Sequence, residues 1–327
     1  MSPVRVLDGL PAGAQGRLVA LVERCTFPPA GSELVCAVSG GADSLALLLL
    51  ACVAGCDVTA IHVDHGIRPG SGAEARVVEA AAGRFGARFA ARSVEVAPGP
   101  NLEERARMAR FSVLPEDVAT GHTMDDQAET VLVNLLRGAG LDGLAGMRPG
   151  VSHPILGLRR SETRSLCEMA QMVPVEDPTN SEDRFLRNRI RGGLMEACSE
   201  AAGRDVVPIL ARQAAILRDE ADFLDLLAGD VDPSDARALA SSPLVLARRA
   251  VRRWLKGDDP HPPSYGAVER VLEVARGQSR GTQVAPGIQV SRSAGRLRMS
   301  PPVPPRHSPP ATAVSYQAAS GAAHGAR

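Results

Sequence analysis

One glycine-rich segment between two apolar runs constrains the fold of this chain more than any other feature. Residues 39–44 read Ser-Gly-Gly-Ala-Asp-Ser, after the apolar run 34–38 and before the apolar run 45–50. These flanks predict a strand that ends at the segment and a helix that begins there. Adjacent glycines let the backbone approach a ligand, and the positive end of the following helix favours an anion. The segment therefore predicts a phosphate or pyrophosphate site.

Apolar runs and helical patterns continue to alternate through the first two hundred residues. The expected strands are 34–38, 58–63, 89–96 and 117–120. The expected helices are 43–53, 74–85, 102–114 and 126–136. This βαβα order predicts an α/β fold, a Rossmann-like parallel sheet flanked by helices on both faces. Ligands of such sheets bind at the carboxyl ends of the strands, where residues 39–44 lie.

The pattern changes after about residue 205. Helices are expected over 212–227, 243–255 and 267–275, and a β-hairpin or small sheet over 282–299, with turns at Pro286-Gly287 and Ala294-Gly295. We predict a catalytic domain over 1–200 and a smaller, mainly helical domain that ends in a β-hairpin over 201–300. The segment 301–327 is rich in Pro, Ala, Ser and Gly, which predicts a disordered tail.

Charge and cysteine content exclude some function classes. The chain has 37 Lys and Arg against 37 Asp and Glu, so no overall charge attracts it to a polyanion. Any nucleic-acid site must then be a local cluster. The six cysteines form no Cys-x-x-Cys pair, and neither a secretory signal nor a bilayer-spanning apolar stretch is evident. These features favour a reduced, cytoplasmic setting.

A second polar motif, residues 121–130, reads Gly-His-Thr-Met-Asp-Asp-Gln-Ala-Glu-Thr. Asp126 and Glu129 are one helical turn apart, so both carboxylates can face one cleft. Such a pair can bind an ammonium group, or orient and deprotonate an amine. Helix capping would explain one acidic residue but not His122, Asp125, Asp126 and Glu129 together.

Arginine clusters are candidate phosphate contacts. Arg107 and Arg110 lie three residues apart on a predicted helix and could reach one phosphate, although a solvated charged face is the alternative. Four arginines in eight residues make a further footprint: Arg184, Arg187, Arg189 and Arg191. A second cluster flanks Trp254, and it too could be a solvated helix face: Arg248, Arg249, Arg252, Arg253 and Lys256.

These motifs, taken in order, resemble the bacterial tRNA(Ile)-lysidine synthetases, members of the PP-loop ATP pyrophosphatases. The matching segments are 39–44, 63–66, 107–111, 125–130, 135–147 and 177–191. The resemblance implies a carbon–nitrogen ligase that uses ATP and Mg²⁺. ATP would adenylate the C2 oxygen of the wobble cytidine in the CAU-anticodon isoleucine tRNA. Free L-lysine would then displace AMP, and the codon read would change from AUG to AUA.

The resemblance also implies residue roles. The ATP contacts would be Ser39, Gly40, Gly41, Ala42, Asp43, Ser44 and His65. Asp43 would also hold Mg²⁺. The lysine contacts would be Asp125, Asp126 and Glu129. The remaining substrate contacts would be Arg110, Arg187 and Arg189. The catalytic set would be Asp43, Arg107, His122, Asp126, Glu129 and Arg191, in which His122, Arg107 and one of Arg187 or Arg191 stabilise phosphate charge.

Two departures from the family pattern qualify these expectations. Thr123 stands where the family often has a second histidine, so no role for that ring carries over. Longer members have a further C-terminal domain that helps to grip the tRNA. This chain is expected to lack it, so the second domain's arginine clusters or the tail would serve instead. The sequence leaves a homodimer open.

Three other functions share part of this sequence pattern. A tRNA 2-thiocytidine synthetase shares the pyrophosphate loop but usually has Cys-x-x-Cys pairs, and Cys52 and Cys56 are one residue too far apart for that motif. An ammonia-dependent NAD synthetase lacks the Arg-Asn-Arg-x-Arg of residues 187–191. A non-catalytic nucleotide-binding module would not need the acidic pair Asp126 and Glu129.

Overall fold

The computed structural model of the chain describes residues 13–64, 72–95, 102–175, 186–257 and 263–300. Its internal contacts divide the chain into two units, between Ala221 and Asp222. The predicted domain boundary at residue 200 stays a prediction. The predicted tail 301–327, His65 and residues 177–180 lie outside the described residues.

The first unit contains a four-stranded parallel sheet in the order β3-β2-β1-β4. Its strands are β1 (Glu33–Ala37), β2 (Asp57–Asp64), β3 (Arg88–Ser93) and β4 (Ala119–Thr120). The described helices that begin in this unit are α1 (Ala14–Val22), α2 (Ala42–Val53), α3 (Gly72–Phe85), α4 (Leu102–Ser112), α5 (Met124–Leu136), α6 (Leu141–Leu144), α7 (Arg160–Met169), α8 (Leu186–Arg189), α9 (Met195–Ala202) and α10 (Val207–Ala228). A π-helical turn, Ile190–Leu194, joins α8 to α9. The predicted α/β sheet is therefore confirmed.

Alternate residues of β1 face opposite sides of the sheet, as the strand period of two requires. Leu34 and Cys36 pack into a large core with α2, α3 and α7, while Val35 and Ala37 contact a smaller core that includes Phe111 of α4. Helix α2 is apolar on all sides, and its residues from Leu45 to Ala51 have no exposed surface. Burial on every side anchors this helix beneath the glycine-rich segment.

Several of the described helices have no counterpart in the sequence prediction, among them α1 and α7. Helix α7 buries only Thr163, Leu166 and Cys167, and its other residues are mostly polar. Such a sequence shows too little apolar periodicity to predict a helix. The predicted helix over 126–136 begins two residues earlier, at Met124, because Thr123 caps it.

The second unit has its own core and a three-stranded antiparallel sheet in the order β5-β6-β7. Its described helices are α11 (Ala236–Ser241), α12 (Leu244–Lys256) and α13 (Tyr265–Ala275), and its strands are β5 (Gly281–Ala285), β6 (Ile288–Ser293) and β7 (Arg296–Ser300). The expected hairpin or small sheet is thus a three-stranded sheet. Both of its turns fall where the sequence predicts them. No helix among the described residues is long and apolar enough to cross a membrane.

Candidate active site

The glycine-rich segment forms a tight turn between β1 and α2. Gly40 has a φ of +91°, which residues with a Cβ rarely adopt. The hydroxyl of Ser44 donates to the Gly41 carbonyl at 2.9 Å and accepts from the Ser39 amide at 3.2 Å. These contacts stay within the turn, so the loop is shaped before any ligand arrives. Asp43 lies in the first turn of α2, on the side of the second polar motif.

The second motif meets the loop at the carboxyl ends of neighbouring strands. Strand β4 pairs with β1, and Gly121 follows it directly. A Cβ at Gly121 would lie 2.9 Å from the carbonyl carbon and oxygen of Asp43. Only glycine allows this approach, which brings residues 121–130 beside the phosphate loop.

Thr123 fixes the start of α5 and, with it, the orientation of Asp126. The Thr123 amide and hydroxyl both donate to Oδ2 of Asp126 at 2.8 Å, which completes a capping box. The other carboxylate oxygen of Asp126, Oδ1, remains available to other donors. Thr123 itself has no exposed surface. Thr123 is therefore a buried helix cap.

Arg160, at the start of α7, joins the two motifs. Its Nη2 atom donates to Oδ1 of Asp126 at 2.8 Å, and its Nη1 and Nη2 atoms each lie 3.1 Å from Oε1 of Glu129. Its Nε atom lies 3.7 Å from Oδ2 of Asp43. One guanidinium thus contacts the carboxylate of the phosphate loop and both members of the acidic pair.

Two predicted arginines also reach Glu129. Arg191 donates from Nε to Oε1 at 2.8 Å and from Nη2 to Oε2 at 3.1 Å. Its Nη2 atom lies 3.6 Å from Oδ1 of Asp126. Arg187 lies farther off, with Nε at 4.0 Å from Oε2 of Glu129 and Nη2 donating to the Thr130 hydroxyl at 3.2 Å. The structure therefore brings the predicted acidic pair and these arginines together.

The carboxylates of this cluster differ in their electrostatics. Burial raises the pKa of Asp43, although a hydrogen bond from the Thr163 hydroxyl and the charge of Arg160 oppose that rise. Burial also acts on Asp126, but Arg160 and the Thr123 amide outweigh it and hold the pKa of Asp126 below its usual value. Asp126 is therefore a stable anion, whereas the charge on Asp43 is poorly compensated.

Asp125 points to the start of α7. It accepts from Nε of Arg159 at 3.1 Å and from the Arg160 amide at 2.8 Å. Arg159 also pairs with Asp205. These contacts tie α5 to α7 and so fix the backbone that carries Arg160.

A cleft with about 260 Å³ of empty space opens beside the cluster. Its lining residues are Asp125, Glu129, Arg160, Arg191, Met195 and Val207. The cleft thus combines carboxylates and guanidinium groups with two apolar side chains. A small zwitterion with an aliphatic chain has the chemistry to fit such a lining.

The other predicted residues belong to the first unit, and some of them are outside the described part. The Nδ1 atom of His122 lies 2.7 Å from the Thr120 hydroxyl, and its ring lies 5.1 Å from that of His153. The guanidinium of Arg110 stacks 5.4 Å from the ring of Phe111. Arg189 is exposed on α8. Arg107 lies on α4, but its side chain, like all of His65, is outside what the structure describes.

Much of the second arginine cluster is engaged within its own unit. Arg248 pairs with Glu269 at 2.6 Å and Arg249 with Asp225 at 2.7 Å. Arg253 donates to the Ala228 carbonyl at 3.1 Å. Trp254 packs against the core of the unit. These arginines therefore have structural partners that a nucleic acid would have to replace or share.

Comparison with known proteins shows which family the chain resembles. A family model described as PP-loop domain matches residues 15–198, and one described as TilS substrate binding domain matches residues 235–298. The tRNA(Ile)-lysidine synthase of Nocardia farcinica is 39% identical over 297 residues, which is 84% of this chain and 93% of that protein. The synthase of the same name from Rhodococcus erythropolis is 42% identical over 239 residues, 68% of this chain and 74% of that one.

A solved structure supports the fold alone. A U34-tRNA thiolase from Methanococcus maripaludis, solved with its iron–sulfur cluster, superposes with a TM-score of 0.50 at 16% identity. The match covers 62% of this chain and 79% of the thiolase. All six cysteines of the present chain are free thiols, and burial raises the pKa of Cys52 to about 12. At this level of identity, the likeness to the thiolase shows the fold only.

Proposed function

This chain belongs to the tRNA(Ile)-lysidine synthase family, and on that premise we propose how its residues carry out the reaction. It is an ATP-dependent ligase. In the reaction, the C2 oxygen of the wobble cytidine attacks the α-phosphorus of ATP, and pyrophosphate leaves. The lysine amine then attacks C2, loses a proton, and AMP leaves. The observation that carries the assignment of residues is the meeting of the phosphate loop and the acidic pair at Arg160.

The loop 39–44 holds the pyrophosphate part of ATP. The preformed turn and the amino end of α2 favour a polyanion, and Ser39 and Ser44 add hydroxyl groups. Ala42 contributes backbone only, and its carbonyl lies 3.4 Å from the Cys167 thiol. We place His65 beside the adenosine, as the family pattern implies. These contacts would align the α-phosphorus with the attacking oxygen.

Asp43 is our candidate for the Mg²⁺ that accompanies ATP. Among the described residues, no group of three or more His, Cys, Asp and Glu side chains could hold a metal by itself. A single carboxylate plus phosphate oxygens suits Mg²⁺, which keeps several waters and few protein ligands. The burial that raises the pKa of Asp43 also fits, since a cation would compensate its charge. When bound, the ion would neutralise phosphate charge.

Asp126 and Glu129 receive the ammonium group of lysine and position the attacking nitrogen. Both carboxylates are buried, and Glu129 and Asp125 line the cleft. Amine attack requires loss of a proton, and a carboxylate within reach can accept it. The aliphatic part of lysine would lie along Met195 and Val207.

Arginine side chains and His122 stabilise the phosphate charge of the adenylated intermediate. Arg191 is in position at the acidic pair, with Arg187 behind it. We assign the same role to Arg107 on family grounds. Arg110 and Arg189 would contact the tRNA around the wobble base, and the second unit would bind the body of the tRNA. A homodimer and a cytoplasmic location stay predictions, testable by light scattering and by fractionation.

Incubation with ATP, labelled lysine and total bacterial tRNA tests the function. Label should be retained on one isoleucine tRNA with a CAU anticodon, with one AMP released for each lysine added. Omission of tRNA should abolish pyrophosphate release. Sulfur incorporation from a persulfide donor, or label on no tRNA, would overturn the assignment.

A further inference from the structure

Arg160 physically connects the two substrate sites of the proposed reaction. Its guanidinium lies between the loop carboxylate Asp43 and the acidic pair, and its side chain is only 18% exposed. A buried guanidinium keeps its charge at every physiological pH. A ligand that adds charge near Asp43 therefore changes the attraction between Arg160 and the acidic pair. A ligand that adds charge near the acidic pair likewise changes the attraction between Arg160 and Asp43.

In the present structure, a guanidinium stands where the ammonium group of lysine is proposed to bind. Oδ1 of Asp126 accepts from Arg160, and Oδ2 accepts from Thr123. Oε1 of Glu129 accepts from both Arg160 and Arg191, and Oε2 accepts from Arg191. Every oxygen of the acidic pair thus already accepts a hydrogen bond, and an ammonium that enters must compete with the guanidinium groups for these oxygens.

The net charge of the cluster leads to the same conclusion. The carboxylates and guanidinium groups that are joined by ion pairs through Arg160 and Glu129 are equal in number: Asp43, Asp126 and Glu129 against Arg160, Arg187 and Arg191. Asp125, at the edge of the cleft, is paired separately with Arg159. Adding an ammonium to this balanced, largely buried set would leave an uncompensated positive charge, which is costly away from water. The triphosphate of ATP at the neighbouring loop would supply the missing negative charge.

We propose that Arg160 blocks the lysine site in the free enzyme and yields it when ATP binds. The phosphates offer the guanidinium a bidentate partner of higher charge than a carboxylate. As Arg160 turns to them, Asp126 and Glu129 become free to bind lysine. ATP and lysine must then strengthen each other's binding by the same factor, because such coupling is reciprocal. The inference rests on the proposed role of the acidic pair.

Equilibrium binding of labelled lysine tests the proposal. The enzyme would be measured with and without Mg²⁺ and α,β-methylene-ATP, which cannot be cleaved between its α and β phosphates. The wild-type protein should bind lysine about tenfold more tightly with the analogue, within the usual range of coupling between sites. Arg160→Gln should bind lysine about tenfold more tightly than wild type without the analogue, and should gain little from adding it.

Arg164→Gln is the matched control, since Arg164 is exposed one turn farther along the same helix. It should show the wild-type coupling. Equal lysine affinity with and without the analogue in the wild-type protein would overturn the proposal. So would loss of lysine binding in a folded Arg160→Gln protein under both conditions.

Should Arg160→Gln not fold, the reciprocal measurement decides. The affinity of the wild-type protein for the analogue should rise about tenfold when lysine is present, and an unchanged affinity refutes the coupling. Failure of the proposed function gives a different result. In that case lysine binds neither with nor without the analogue and is not incorporated into tRNA. If instead lysine is incorporated normally but its binding does not depend on the analogue, only the proposed role of Arg160 is refuted.

Discussion

Gly121 lies against the backbone of Asp43, so closely that a Cβ at this position would be 2.9 Å from the Asp43 carbonyl oxygen and from the Ser44 amide nitrogen. Backbone atoms of a packed helix start cannot move aside cheaply. Gly121→Ala should therefore destabilise the protein by about 1–3 kcal/mol, the usual cost of overpacking. It should also raise the KM for ATP about tenfold, because the phosphate loop is displaced.

Gly83→Ala is the control for this substitution. Gly83 lies in α3, and a Cβ there would meet nothing within 4 Å. Alanine should stabilise that helix by about 0.5–1 kcal/mol and leave the KM for ATP unchanged. Thermal unfolding and steady-state kinetics measure both effects. Equal behaviour of the two variants would show that the contact between Gly121 and Asp43 does not shape the loop.

Asp126 combines a helix cap with the proposed lysine contact, and two variants separate these roles. Asp126→Asn keeps an oxygen for the Thr123 amide but removes the charge, so lysine transfer should fall by about 10²–10⁴-fold. Thr123→Ala removes the hydroxyl donor but keeps the carboxylate, so it should cost about 1 kcal/mol of stability with nearly normal lysine transfer. Single-turnover transfer from adenylated tRNA and urea unfolding provide the measurements. Similar transfer rates in the two variants would contradict the proposed role of Asp126.

The elements that the sequence predicts well are those with strong local patterns. The turn at residues 39–44 is set by its glycines and by apolar runs on both sides, and the structure has it between β1 and α2. The pairing of Asp126 with Glu129 follows from helical spacing alone. Both side chains contact one guanidinium, as a shared face requires.

Arg160 could not be predicted in the same way. Its partners Glu129 and Asp126 lie 31 and 34 residues away in the chain, and α7 has little apolar periodicity to place it. Arg159 and Arg160 look alike in the sequence, although the structure gives them different partners. Only the fold of α7 against α2 decides which of the two reaches the phosphate loop. Long-range packing, rather than local propensity, therefore determines the centre of the site.

Asp43 should show a conflict between stability and function. Its burial disfavours the charged form, so Asp43→Asn should leave the free energy of unfolding within about 1 kcal/mol of wild type or raise it. The same variant should lose ATP-dependent adenylation, since an amide cannot replace a carboxylate near Mg²⁺ and phosphate. Urea unfolding at pH 7.5 and pyrophosphate release test the two statements. A strongly destabilised variant would show that the ionised carboxylate supports the fold.

Buried thiols predict a loss of stability at alkaline pH. Burial raises the pKa of Cys52 from 9.0 to about 12, so the folded protein keeps a neutral thiol while the unfolded chain ionises. The stabilisation is complete below pH 9 and is lost as the pH rises toward 12. Between pH 8 and 10, wild type should lose about 1.4 kcal/mol more than Cys52→Ala. Urea unfolding at the two pH values measures this difference, and parallel losses would refute it.

Arg218 and Gln127 together hold the end of the glycine-rich loop that follows α5. The Nη2 atom of Arg218 donates to the carbonyls of Ala145 and Met147 at 2.9 and 2.6 Å. The Gln127 amide donates to the Met147 carbonyl at 3.0 Å and accepts from its N–H at 2.8 Å. These contacts are the tertiary hydrogen bonds that hold Met147 in place.

Arg218→Ala should therefore cost about 1.5–3 kcal/mol, the range for hydrogen bonds from a charged donor. The Met147 amide should also exchange its hydrogen faster, because the carbonyl of Met147 loses its hydrogen bond from Arg218. Arg212→Ala is the control, since Arg212 lies on the same helix but is exposed, and it should stay within about 0.5 kcal/mol of wild type. Chemical unfolding and amide exchange give independent readouts. Unchanged exchange at Met147 in a destabilised Arg218→Ala protein would show that Arg218 stabilises the helix without holding the loop.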